Sequence, residues 1–157
     1  MAAIAVEADV SKALLHYHYT DRRHLLVEVV HQLAHRITTR ERAAVGAAAS
    51  SGVVDALWRS VQHELNLGEL RLLLELGTTR ESELRLALLD AQDARHGVAT
   101  AAVERVFGGL GVSARMPSAL LATVSMALVD GLAMSPARHD ARASFDLLWL
   151  ALLDLTE

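Results

Sequence analysis

Apolar residues recur every three or four positions along almost the whole chain. Leu25, Leu26, Val29, Val30, Leu33 and Ile37 lie on one side of a single helical run. That period fits a helix and conflicts with the alternation of a half-buried strand. Composition points the same way. Ala and Leu make up about a third of the 157 residues, β-branched residues are sparse, and Pro117 and Pro136 are the two prolines. Ala and Leu are strong helix formers. The expected class is all-α, and with 52% hydrophobic residues the chain can bury a sizeable core.

The spacing predicts a short helix over 2–8, a turn at Asp9-Val10, and a second short helix over 12–18 with Ser11 as its N-cap. Thr20-Asp21 breaks and recaps the chain, and a long helix follows over 22–44. The stretch 46–52, GAAASSG, reads as a joint. Further helices are expected over 53–65, 68–77 and 80–107, the last bending at His96-Gly97. GGLGVSARMPS, 108–118, is the clearest loop, and helices over 118–134 and 138–155 close the chain.

The final helices are apolar on more than one side. Leu120, Leu121, Val124 and Leu128 in the first, and Phe145, Leu148, Trp149 and Leu152 in the second, form extended apolar faces. A surface helix of a monomer shows one stripe. Apolar surface in excess of one core implies a second partner, and a symmetric homodimer uses one patch on both subunits. These eight residues are the expected interface.

Cysteine is absent, which excludes disulfides and thiolate chemistry and suits a reducing compartment. No charge-free apolar run is long enough for a bilayer, and MAAIAVEAD lacks the basic start of a secretory signal. The expectation is a soluble, cytoplasmic protein without a membrane partner. The formal net charge of −4 disfavours nucleic acid taken alone. Its distribution is more informative. Residues 1–42 hold six Lys/Arg against five Asp/Glu plus five histidines, whereas 43–157 hold nine against fourteen.

The basic end coincides with the two short helices. Helix, tight turn, helix has the proportions of a helix-turn-helix, whose second helix enters the major groove. In VSKALLHYHYTDRRHLL, 10–26, Ser11 and the first-turn amides offer donors to phosphate oxygens, Lys12 adds charge, and His16 and Tyr17 add ring donors. Arg22 and Arg23 open the next helix beside the same groove.

These residues resemble the TetR family of transcriptional regulators, whose signature here runs approximately I-A-x-x-A-G-V-S-K-G-T-L-Y-H-Y-F-x-S-K-E-x-L. Ile4, Ala5, Ala8, Val10, Ser11, Lys12, Leu15 and Leu25 match it. Tyr19 stands at the core-plugging Phe, Arg22 at a phosphate-contacting Lys, and His16 at a phosphate-binding Tyr. Three positions depart. Asp9 replaces the turn glycine and still tolerates left-handed geometry. Ala13 replaces a glycine of close approach. Leu14 replaces a polar residue and offers a thymine methyl an apolar contact.

The resemblance implies a partial helix-turn-helix DNA-binding domain over 1–42, including the start of a connecting helix. It implies a helical regulatory and dimerisation domain over 43–157. Ser11, Lys12, Ala13, Leu14, His16, Tyr17 and Arg22 are the implied DNA-binding residues. Family members carry a further helix ahead of the position of Ile4. The chain begins at the motif's first helix, so the inner faces of Ile4, Leu15 and Tyr19 are expected to lack cover.

An effector site is expected in the helical body. Trp58, Gln62, Phe107, Met126 and Asp130 are candidates to line an apolar pocket with a few polar groups. No metal site and no cofactor is expected. His24, His31 and His35 share a face with no partner ligands, Glu28-Val-Val-His31 occurs once where a di-iron bundle needs two copies, and His63-Glu64 lacks the second histidine of a zinc motif. No nucleophile elbow or phosphate loop appears, so an enzyme is not expected. The functional expectation is a TetR-type, ligand-responsive transcriptional regulator acting as a repressor. It would be a homodimer on pseudo-palindromic double-stranded operator DNA, released by a small apolar effector. The alternative is a TetR-derived helical dimer that binds a small ligand or protein and has lost DNA binding.

Overall fold

The computed structural model describes residues 1–48, 52–136 and 140–155. Among these it is all-helical, with eight helices. They are α1 (Ala2–Glu7), α2 (Lys12–His18), α3 (Arg22–Ala47), α4 (Val53–Leu67), α5 (Glu69–Leu76), α6 (Ser82–Leu110), α7 (Ser118–Met134) and α8 (Ala141–Asp154).

Local chemistry sets the boundaries. Ser11 accepts a hydrogen bond from the Leu14 amide at 3.0 Å and opens α2. Asp21 accepts from the His24 amide at 2.8 Å and opens α3. Each side chain satisfies one of the amides a helix start leaves free. Between α1 and α2 the chain turns through Asp9 at φ 52°, the left-handed geometry expected there. The Val10 amide then donates back to the Ala5 carbonyl at 3.0 Å and closes the turn.

α3 runs unbroken past residue 42, the expected domain boundary, to Ala47. The guanidinium of Arg105 donates to the Ala48 carbonyl at 3.0 Å and so supports that end of the helix from α6. Of the expected joint 46–52, residues 49–51 lie outside the described residues. The long helix α6 continues through His96-Gly97, where a bend was expected, as one helical segment from Ser82 to Leu110.

The core forms where α3 packs on α6. α7 lies against α6, α4 and α5 against α3, and α8 against α7 and α4. Val30, Leu33 and Ile37 of α3 meet Leu84, Val103 and Val106 of α6 in one buried cluster. Each large side chain so buried contributes about 1.5–3 kcal/mol. α1 and α2 pack chiefly on each other. Ala5 is their one buried side chain, while Ile4, Leu15 and Tyr19 are half-buried.

The last helices divide their apolar faces differently from the expected interface. Leu121 of α7 and Phe145, Trp149 and Leu152 of α8 are buried in the chain's own core. Leu120 and Val124 are exposed, Leu128 and Leu148 half-buried. The open apolar face of α8 is carried by Leu147 and Leu150, 68% and 66% exposed. A helix apolar all round gives no phase from sequence, because every three- or four-residue stripe looks alike. Among the described residues no helix is long and apolar enough to cross a membrane.

Candidate functional site

Two places gather polar chemistry: the surface of α1–α2, and the interior of the α3–α8 body.

At the surface, Ser11, Lys12, Ala13, Leu14, His16 and Tyr17 are all exposed along α2, and Arg22 is exposed at the start of α3. Tyr17 is 83% exposed, which places its hydroxyl in solvent. Lys12 and Arg22 form no ion pair among the described residues, so both keep their charge available. Arg23 differs: it reaches Asp21 at 3.4 Å and Glu83 at the start of α6 at 3.0 Å, linking the motif to the body. Rings brace the α2–α3 corner. Tyr17 and His18 meet edge to face at 5.0 Å between centroids, as do Tyr19 and His24 at 5.8 Å. The Thr20 amide donates to Nδ1 of His24 at 3.4 Å. Asp21 is held below the usual carboxylate range, first by the hydrogen bond from the His24 amide and also by Arg23.

In the interior, Arg40 of α3 holds two acidic residues. It donates to both carboxylate oxygens of Glu64, which is buried, and to Glu69. Arg36 reaches the other oxygen of Glu69 at 2.9 Å. The Arg40 guanidinium is held more firmly protonated than usual, mainly by its hydrogen bond to Glu64. On the other side, Arg95 of α6 is 5% exposed and pairs through both Nη atoms with Asp130 of α7.

Glu41 lies between these pairs. It accepts no hydrogen bond and joins no ion pair among the described residues. The residue is only half-buried, yet burial of its carboxyl pushes the pKa up to about 7. Arg95 opposes that rise, while Glu64 and Asp130 add to it. Glu41 and Arg95 line a cavity of about 50 Å³ with Met126, Phe145 and Trp149. Nε1 of Trp149 is buried without a hydrogen-bond partner.

The candidates for the effector site distribute as follows. Met126 lines the cavity. Asp130 bonds to Arg95, which lines it. Trp58 stands one layer out, its ring 5.4 Å from that of Phe145, with the Arg142 guanidinium 5.6 Å from the Trp58 ring centroid. Gln62 is exposed, and Phe107 is buried core away from the cavity wall. Sequence reasoning missed Glu41 and Arg95. Both stand on buried stripes: Glu41 follows Ile37 and precedes Val45, and Arg95 falls between Ala91 and Val98. A charge on an apolar stripe was the available signal.

Among the described residues no group of three His, Cys, Asp or Glu side chains is placed to hold a metal ion. His31 lies 3.9 Å from Glu28 and is half exposed. No family model, no curated protein and no solved structure matches this chain.

Proposed function

We propose that this chain is a ligand-responsive transcriptional regulator of the TetR type, a cytoplasmic homodimer that represses from pseudo-palindromic operator DNA. The observation that carries the reading is the turn at Asp9 followed by an exposed, Ser11-capped α2 bearing Lys12, with Arg22 beside it. Exposed cations without intramolecular partners suit phosphate contacts, and short exposed side chains such as Ala13 and Leu14 suit close approach to base edges. The largely apolar cavity, with Glu41 and Arg95 in its wall, supports an effector site. The exposed leucines of α7 and α8 support the homodimer.

One observation favours a second reading, a helical dimer of this kind without DNA binding. α2 buries no side chain, so its geometry depends on few tertiary contacts. Titration of fluorescent duplex DNA with the protein at several salt concentrations separates the two. The regulator binds with an affinity that falls steeply with salt, and Lys12→Ala and Arg22→Ala each weaken binding on all duplexes and reduce the salt slope by about one. Salt-insensitive or absent binding by the folded dimer selects the second reading.

A further inference from the structure

We infer that the cavity bounded by Glu41, Phe145 and Trp149 takes a small organic ammonium ion that also carries a hydrogen-bond acceptor. The ammonium would sit between the Glu41 carboxylate and the aromatic faces, with the acceptor on the Trp149 indole N–H. This inference rests on the effector-site reading of the cavity and narrows it to a chemical class.

Charge comes first. The buried and half-buried guanidiniums of the body are already committed: Arg40 to Glu64 and Glu69, and Arg95 to Asp130. Glu41 is the acidic group left over at the cavity wall. An anionic ligand would meet the Glu41 carboxyl, and the guanidinium in the wall, that of Arg95, is already held by Asp130. A purely apolar ligand would leave the buried Trp149 N–H unpaired and give the Glu41 carboxyl no partner. A cation meets the carboxylate. The Phe145 and Trp149 rings in the wall add to this, because aromatic faces attract ammonium groups within about 6 Å of the centroid.

Size comes second. A volume of about 50 Å³ is about a third of the roughly 150 Å³ that takes a benzene ring, but this cavity is partly open to solvent. The ligand is therefore short, about five heavy atoms at most, with part of it at the open side. One end must be cationic, and the other must accept from Nε1 of Trp149.

Three probes of similar size test the assignment on the full chain: 2-methoxyethylammonium, its neutral counterpart 2-methoxyethanol, and butylammonium, which lacks the acceptor. Affinities come from calorimetry, and contact with Trp149 from the NMR shift of its indole N–H. Glu41 facing Arg95 and Asp130 from α6 and α7, and Glu64 from α4, ionises at about pH 7. Binding of 2-methoxyethylammonium is therefore expected to tighten about tenfold from pH 6 to pH 8. It is expected to exceed 2-methoxyethanol at least tenfold at pH 8, and to lose that preference in Glu41→Gln. The ether shifts the Trp149 signal, and butylammonium leaves it in place.

Equal affinity for the ammonium and the alcohol, no change with pH, or an ammonium preference surviving in Glu41→Gln overturns the inference. In each of those cases binding in the cavity itself persists, and the effector reading stands. Failure of all three probes at both pH values overturns the inference and the effector reading together. Ammonium binding with the expected pH profile, in a protein that does not bind DNA, sustains the inference and removes the regulator.

Discussion

Glu41 makes the stability of this fold depend on pH in an unusual direction. Its carboxyl binds a proton more tightly folded, at about 7, than at the ordinary value of 4.5. The folded chain therefore holds more protons between those values, so stability falls as pH rises through that window and stays low above it. The full effect is on the order of 3 kcal/mol. Glu41→Gln keeps the shape and removes the charge. It is expected to melt above the parent at pH 8, to come near parity at pH 5, and to show a flatter profile between them by calorimetry. Asp21 acts in the opposite sense at lower pH: its pKa lies below 3.8, so its contribution is lost only on strong acidification. Asp9 is a second local cost. At φ 52° it holds a geometry that disfavours a side chain, though Asp tolerates it better than most residues. Asp9→Gly should stabilise the α1–α2 corner by about 0.5–1 kcal/mol. Slower hydrogen exchange at the Ala8, Asp9 and Val10 positions would register the gain; unchanged exchange would count against it.

Among the helices, the α4–α5 junction has the clearest single determinant. Gly68 at φ 74° ends α4, donating its N–H to the Glu64 carbonyl at 3.0 Å, and its own carbonyl starts α5 by accepting from Leu72. That corner lets Glu64 and Glu69 both reach Arg40. A Cβ at Gly68 meets no atom within 4 Å, so substitution is limited by backbone geometry alone. Gly68→Ala should cost about 1–2 kcal/mol, with Gly68→Asn milder, a difference of a few degrees in Tm by thermal melting. Boundaries of this kind were legible in the sequence because caps are local: Ser11 marks α2, Asp21 marks α3, and α7 spans the expected 118–134. The cavity was not legible. It needs α3, α4, α6, α7 and α8 to converge, and sequence spacing along one helix says nothing about which helix faces it. Gln62 has the chemistry of a ligand-contacting residue but lies on the solvent side of α4, whereas Glu41 resembles any solvated charge beside Arg40 until its stripe is followed from Val30 to Val45.

For the whole molecule, the proposed dimer would turn on the outer face of α8. Leu147 and Leu150 leave a large apolar area in water, and covering each with a partner would contribute about 1.5–3 kcal/mol. Under the dimer reading, light scattering gives twice the chain mass of 17.0 kDa, and Leu147→Glu with Leu150→Glu gives the single mass with helical content retained. A parent already at the single mass would sink that reading. The length of α3 has a mechanical meaning as well. With 26 residues it is about 39 Å long, and Arg22 and Glu41 stand about 29 Å apart along it. A helix of that length, moving as a rod, magnifies angle into displacement. A tilt of about 10° pivoting near Glu41 carries Arg22 through about 5 Å, more than the roughly 3.4 Å rise of one base pair. The leverage at the far tip is set by how far the pivot lies from it, so a disturbance small enough to leave the packed interior intact is already coarse on the scale of a nucleotide step.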